Sequence, residues 1–187
     1  ADPSDPGDSC GWGGSSWHGT HVAGIIAADH NNSVGVSGVL TSGDILPVRV
    51  LGCYGGTDAD ILDAILWSAG ISVPGVPDNP NPAKVINMSL GGSDACPQVW
   101  QDVIDQVVAA GTTVVVAAGN DSVDASLFTP ASCNGVITVG ATDYDGNAAG
   151  FSNHGSTVEV SAPGQDIFAN YNDGSATPGN PSYTYMS

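Results

Sequence analysis

The sequence predicts an α/β fold in which a mostly parallel β-sheet lies between helices, giving three layers. Short runs such as residues 84–90 and 112–118 are apolar and partly β-branched throughout, as expected for strands buried on both faces. These runs alternate with segments of helical periodicity, which favours a parallel sheet covered by helices. Glycine and polar residues follow two of the strands, at 89–92 and 119–120, where open sheets of this kind form their ligand sites.

The first half of the chain opens with a loop over residues 1–16, which are rich in Pro, Gly, Ser and Asp. Small and apolar side chains then predict a helix over residues 18–28. An apolar run bounded by turn residues predicts a strand over 44–51. A helix is predicted over 58–69 because apolar side chains recur at helical spacing, and Thr57 can cap its first turn.

The second half contains the strands of the predicted core. Residues 70–83 form a loop, after which the apolar run 84–90 predicts a strand. A helix over 97–110 has one apolar face. That face consists of Val99, Val103, Ile104, Val107 and Val108. The remaining expectations are strands over 112–118, 136–141 and 158–160, followed by a polar, loop-like tail over 170–187.

The composition is that of one folded domain with an acidic surface. The chain has 187 residues, of which 41% are apolar and 11% are charged. Its 19 acidic residues face only Arg49 and Lys84, giving a net charge of −17. Such a surface repels nucleic acid and anionic membranes, which argues against both as partners. The sequence also lacks a run of apolar residues long enough to span a bilayer.

The four cysteines, Cys10, Cys53, Cys96 and Cys133, contain no C-x-x-C pair. A zinc or redox motif is therefore not indicated. An even number of cysteines fits two disulfides and an oxidising compartment. Four cysteines allow three pairings, and their spacing does not select one of them.

The segment Trp-His-Gly-Thr-His-Val-Ala-Gly at residues 17–24 contains the strongest candidate for acid–base chemistry. His18 lies where a loop enters a helix, and the helix dipole there disfavours the imidazolium. The ring is then kept neutral and able to accept a proton near neutral pH. Taken alone, a histidine at a helix start is more often structural. A metal site shared by His18 and His21 is a further, weaker alternative.

Two strand ends are candidates for substrate contacts. Val-Val-Val-Ala-Ala-Gly-Asn at 114–120 ends in small residues, and Asn120 could donate its amide to a developing oxyanion. Residues 89–91, Ser-Leu-Gly, could lie extended beside a peptide and pair with its backbone. The alternative for both is an ordinary turn at the end of a strand.

The ordered set HGTHVAG, VINMSLGG, VVVAAGN, VITVGA, FSN and SAPG resembles the subtilases, the subtilisin-like serine peptidases. The resemblance extends from about residue 17 to residue 187. The segments VLGCYGGT, NPNPAKVINMSLGGSDAC and PASCNGVI are most similar to the secreted bacterial subtilases that include the Dichelobacter basic and acidic proteases. The resemblance therefore implies a subtilisin-like fold and a secreted bacterial serine endopeptidase acting on protein and peptide substrates. We expect it to be a monomer.

The resemblance also implies roles for individual residues. His18 would act as general base and general acid, and Asn120 as the side-chain donor to the oxyanion. Three segments would bind substrate: the first would hold the substrate backbone, the second would form one wall of the primary specificity pocket, and the third would belong to an opposite edge strand at residues 51–56. They consist of Ser89, Leu90 and Gly91, of Ala117, Ala118 and Gly119, and of Leu51 and Gly52.

Calcium and two disulfides are implied in the same way. Residues 30–36 resemble the family's Ca²⁺ loop, in which Asn32 would bind through its side chain. Backbone carbonyls of His30, Val34 and Val36 would complete this part of the site, since Ca²⁺ takes oxygen ligands. The implied disulfides pair Cys10 with Cys53 and Cys96 with Cys133.

The sequence departs from the family at two motifs. The 17 residues before His18 contain no Asp-Thr/Ser-Gly motif, and no Gly-Thr-Ser-Met-Ala motif is present. We therefore interpret residues 1–187 as a partial catalytic domain, truncated at both ends, and expect no activity from it alone. We do not assign Ser187 as the nucleophile. The alternative function is a non-catalytic pseudoprotease that binds peptides in the same cleft.

Overall fold

The structure is a computed structural model that describes residues 7–8 and 14–187. Its described residues divide into two compact units. One unit comprises the described residues up to Gly56 together with Asp166–Ser187, and the other comprises Thr57–Gln165. The helices are α1 (His18–Ala27), α2 (Asp58–Ser68) and α3 (Gln98–Ala109). The strands are β1 (Val85–Met88), β2 (Thr113–Ala117), β3 (Val136–Thr142), β4 (Val160–Pro163), β5 (Ile167–Asn172) and β6 (Pro181–Met186).

The unit Thr57–Gln165 is built on a four-stranded sheet in the order β1-β2-β3-β4. Every neighbouring pair in this sheet is parallel. Strand β2 lies inside the sheet, and its Val114 and Val116 are almost completely buried. The parallel sheet flanked by helices that the sequence predicts is therefore confirmed.

Helix α2 begins as its sequence predicts, because Thr57 accepts a hydrogen bond from the Asp60 N–H at 3.2 Å. Helix α3 contacts both α2 and β2. Its buried face consists of Trp100, Val103, Ile104 and Val107. The prediction that Val99 and Val108 share this face is wrong, since they are 52% and 40% exposed. Trp100 takes a core position that the valine pattern did not reveal.

The other unit packs α1 against an antiparallel hairpin formed by β5 and β6. The prediction of a loop over residues 170–187 is therefore wrong. Alternating Tyr183, Thr184 and Tyr185 suit a strand, and each pairs with a residue of β5. The residues between the two strands are polar and turn-forming, and for this reason the sequence of the whole segment resembles a loop.

Residues 44–51 form no strand, so that prediction is also wrong. The apolar side chains of Ile45, Leu46 and Val48 are each between 37% and 40% exposed. A strand requires a ladder of hydrogen bonds to a neighbour, and local apolar composition does not supply one. The last predicted strand also shifts, because β4 covers Val160–Pro163 instead of residues 158–160. Within the described residues, no helix has the length and apolar character needed to cross a bilayer.

The disulfide between Cys96 and Cys133 is present and confirms that predicted pair. The two Cα atoms lie 5.1 Å apart across a sequence separation of 37 residues. Ser132 adds a contact beside the bridge, because its Oγ accepts a hydrogen bond from the Cys96 N–H at 2.9 Å. Cys10 lies outside the described residues, so the pairing of Cys10 with Cys53 stays a prediction.

The exposure difference along α3 predicts a stability difference. Val107→Ala removes two buried methyl groups from a fully buried site and should lower the free energy of unfolding by about 2 kcal/mol. Val99→Ala makes the same chemical change where the side chain is 52% exposed and should cost less than about 0.5 kcal/mol. Urea denaturation of both variants measures the difference. Equal losses would contradict the packing of α3.

Candidate active site

His18 is the first residue of α1 and follows Trp17, whose backbone is left-handed with φ of 50°. Trp17 is only 3% exposed, and its indole Nε1–H donates to the Gly174 carbonyl at 2.6 Å. This anchored residue fixes where the helix starts and where the His18 side chain leaves it. His18 itself is exposed. A histidine at an anchored helix start, open to solvent, is accessible to a substrate.

The pKa of His18 is shifted in the direction that suits a base. Burial of part of the imidazole lowers the pKa below its ordinary value of 6.5, because the charged form loses hydration. The neighbouring charge of His21 lowers it further. His21 is buried, and its Nε2–H donates to the Thr184 carbonyl at 3.2 Å. Both causes favour the neutral form of His18, and the His21 ring is held by a backbone carbonyl.

Asn120 follows β2, where the buried strand opens into a loop. Ala118 is 1% exposed, and its N–H donates to the Val139 carbonyl at 2.9 Å. Gly119 has a φ of +106°, a conformation that glycine adopts without strain. Asn120 is exposed, and its side chain has no hydrogen-bond partner among the described residues. Its amide is therefore free to donate to a ligand at a fixed strand end.

Asn153 is a buried polar residue bonded to this strand end, and sequence reasoning assigned it no function. It is 1% exposed and makes hydrogen bonds to the backbone of four residues. Those residues are Ala118, Gly119, Asp121 and Val123. The only sequence signal was its place in the Phe-Ser-Asn motif, because burial of an asparagine cannot be read from local sequence.

Two of the predicted substrate segments are brought together in the unit Thr57–Gln165. Ser89, Leu90 and Gly91 follow β1, and the next residue, Gly92, pairs with Thr129 through two backbone hydrogen bonds of 2.8 and 2.9 Å. Phe128 precedes Thr129, and its ring carbon Cδ1 lies 3.3 Å from where a Gly119 side chain would begin. The segment 128–129 therefore lies next to both predicted substrate segments, residues 89–91 and residues 117–119.

Leu51, Gly52 and His18 belong to the other unit. The predicted edge strand at Leu51 is not formed, and Gly52 instead pairs with Gly55 in a tight turn. This turn is exposed. The assignment of Leu51 and Gly52 to substrate binding stays a prediction.

The predicted Ca²⁺ loop offers suitable oxygen atoms. The carbonyl oxygens of His30, Val34 and Val36 accept no hydrogen bond from the described residues. The Asn32 Oδ1 accepts only the Val34 N–H, at 2.9 Å. The three residues between these four oxygen donors, Asn31, Ser33 and Gly35, have left-handed backbone conformations. The donor set is the hard-oxygen type that Ca²⁺ prefers, and four oxygens supply part of the six to eight it takes.

No cluster of three or more His, Cys, Asp or Glu side chains in the described ranges is placed to hold a metal ion. The loop at residues 30–36 differs from such a cluster because three of its four oxygens belong to the backbone. Neutral oxygen ligands of this kind favour a hard cation over a transition metal.

Comparison with known proteins gives consistent matches. Residues 3–187 match the model of the subtilase family. An extracellular protease of Xanthomonas campestris is 51% identical over 180 residues, covering 94% of this chain and 31% of the relative. An extracellular basic protease of Dichelobacter nodosus is 52% identical over 169 residues, covering 90% of this chain and 28% of the relative. The chain thus spans about a third of the length of these relatives.

Solved structures agree with the sequence matches. A protease structure from Pseudoalteromonas arctica superposes with a TM-score of 0.94 and 46% identity, covering 97% of this chain and 59% of that one. A cold-adapted subtilisin-like serine proteinase gives a TM-score of 0.68 and 32% identity, with coverage of 91% and 54%. The family match over nearly the whole chain, the parallel sheet and the ordered motifs together show that this chain belongs to the subtilase family.

Proposed function

We propose that residues 1–187 form part of the catalytic domain of a secreted bacterial serine endopeptidase. The single observation that carries the proposal is the Asn120 amide, which lies at the end of a buried strand in a subtilase-family chain and has no hydrogen-bond partner among the described residues. The two relatives described above are named extracellular proteases, which supports secretion and protein substrates. We propose a monomer with neither nucleic acid nor membrane as partner.

The proposed chemistry assigns separate roles to His18 and Asn120. His18 takes the proton from a serine hydroxyl as that oxygen attacks the peptide carbonyl, and then gives it to the leaving amine. Asn120 donates its Nδ2–H to the oxygen that becomes negative in the tetrahedral intermediate. The nucleophilic serine and the aspartate that orients His18 would come from outside these 187 residues.

Two segments of the unit Thr57–Gln165, residues 89–91 and residues 117–119, form the proposed substrate-binding walls. The extended segment Ser89, Leu90 and Gly91 offers backbone groups to a peptide strand. Ala117, Ala118 and Gly119 lack bulky side chains, so the opposite wall leaves room for a substrate side chain. The edge of the Phe128 ring beside Gly119 supports an apolar surface in that space.

The roles of His18 and Asn120 are tested in the full-length gene product. Asn120→Ala should lower kcat by roughly 10²–10³, a magnitude taken from the corresponding asparagine of subtilisin, with little change in KM. His18→Ala should remove nearly all turnover, because the members of a catalytic triad act as a unit. Hydrolysis of succinyl-peptide anilides measures both.

The control for this experiment is Asn134→Ala, at an exposed asparagine that lies at neither substrate wall, and it should leave both constants unchanged. A full-length protein that binds peptides but never hydrolyses them would instead support the pseudoprotease. Full turnover in the Asn120→Ala variant would contradict the oxyanion role while leaving the protease assignment in place.

The lowered pKa of His18 predicts a titration below the ordinary imidazole value. In the 187-residue chain the ring should gain its proton at a pH below 6.5, since partial burial and the His21 charge both penalise the imidazolium. His21→Gln removes the second cause and should raise the pKa of His18 towards 6.5. Titration of the His18 ring proton by NMR measures both. A midpoint at or above 6.5 in the unsubstituted chain would contradict the prediction.

We also propose that Asn32, His30, Val34 and Val36 contribute to a structural Ca²⁺ site. A bound ion would coordinate the oxygens of the loop and hold its shape. The carbonyl oxygens that accept no hydrogen bond from the described residues, together with the exposed Asn32 side chain, support this proposal.

Calcium should stabilise the chain through this loop. At a concentration 100 times its Kd, a ligand that binds only the folded state adds about 2.7 kcal/mol, which corresponds to a rise in Tm of about 5–10 °C. Asn32→Ala should abolish most of the difference between scans with Ca²⁺ and with EDTA, and Asn134→Ala should retain it. Identical Tm values for the unsubstituted chain in Ca²⁺ and EDTA would rule out the site.

A further inference from the structure

We propose that Asn153 is a positioning residue that fixes the backbone on both sides of Asn120. This inference rests on the proposed oxyanion role of Asn120. Asn153 is 1% exposed and belongs to the same unit as β2. A buried asparagine is retained in a core only when its amide is hydrogen-bonded, because an unpaired polar group costs free energy there.

The two peptide groups that flank Asn120 are bound by the same residue. The Asn153 backbone N–H donates to the Gly119 carbonyl at 2.9 Å, immediately before Asn120. The Asp121 N–H, immediately after Asn120, donates to the Asn153 Oδ1 at 2.9 Å. The Cα of Asn120 is therefore held from both directions.

The side chain of Asn153 ties down two further points of the same segment. Its Nδ2–H donates to the Ala118 carbonyl at 3.0 Å, and its Oδ1 accepts a second bond from the Val123 N–H at 3.2 Å. An amide provides a donor and an acceptor on one planar group, and this site uses both. An ionised aspartate would keep the acceptor but would place a negative oxygen against the Ala118 carbonyl.

The amide also occupies the space that a side chain at residue 119 would need. A Cβ on Gly119 would lie 2.3 Å from the Asn153 Nδ2 and 3.1 Å from its Cγ. The absence of a side chain at Gly119 therefore serves two purposes, since it permits the φ of +106° and admits the Asn153 amide.

Positioning of this kind matters because an oxyanion donor acts by being in place before charge develops. A displacement of about 1 Å near a reacting group can cost roughly 10²-fold in rate. Asn120 is exposed and its side chain makes no hydrogen bond in the described residues, so its position depends on its neighbours' backbone. Asn153 supplies that restraint without touching the substrate.

The segment retains other attachments when the Asn153 side chain changes. The Ser122 N–H donates to the Phe151 carbonyl at 3.0 Å, and the His154 N–H donates to the Val123 carbonyl at 3.0 Å. The Asn153 N–H bond to Gly119 uses backbone atoms only, so it is retained when residue 153 becomes Asp or Ser. A substituted protein should therefore remain folded while Asn120 loses part of its restraint.

The test uses the full-length gene product with Asn153→Asp, and with Asn153→Ser as a neutral second variant. Either change should lower kcat by about 10-fold or more with little change in KM, because substrate contacts remain while the oxyanion donor is displaced. When Asn120→Ala is already present, the same substitutions should have little further effect on kcat. This loss of effect is the readout that a merely structural role would not produce.

The matched control is Asn134→Asp, the same chemical change at an exposed asparagine, and kcat should be unchanged. An equal fold-loss from Asn153 substitution with and without Asn120→Ala would overturn the positioning role, as would a change confined to KM. Unchanged turnover in Asn120→Ala alone would instead refute the oxyanion role on which the inference rests. The two failures are thus separated within one set of variants.

Discussion

The parallel pairing of β2 with β1 and β3 is the constraint on which the Asn120 strand end depends. Because β2 is bonded on both edges and its Val114 and Val116 are buried, the strand cannot shift in register without exposing its core side chains. The place where β2 ends is thereby fixed, and with it the position of Ala118 and Gly119. Residues placed at this end of β2 are therefore held in fixed positions by the sheet.

The loop that follows β2, residues 118–125, is held in place by backbone hydrogen bonds and by the buried side-chain amide of Asn153. Residues 118–125 are bonded repeatedly to residues 150–154, and Asn153 provides the largest share of these bonds. The backbone on both sides of the exposed Asn120 is consequently held by hydrogen bonds, and the buried Asn153 makes four of them. The same arrangement explains why residue 119 is a glycine, since a side chain there would collide with the Asn153 amide.

His18 is positioned by a different element. Helix α1 packs on the β5–β6 hairpin, and Trp17 and His21 both bond to carbonyls of the segment that contains this hairpin. The start of the helix, and so the His18 side chain, is fixed by these tertiary contacts, because the N-cap residue Trp17 makes no side-chain capping bond within the described residues. Partial burial then lowers the pKa of His18, so the packing of this unit favours the neutral imidazole.

Local sequence determined the three helices, the parallel strands and the choice of His18 and Asn120 as candidates, because periodicity, apolar runs and ordered motifs are properties of short segments. Prediction from local sequence was wrong for residues 44–51 and for the β5–β6 hairpin, because a strand forms only when it pairs with a partner elsewhere in the chain. Asn153 was missed for the same reason. Its burial and its four backbone partners arise only when residues 118–123 and 153 meet in the folded structure.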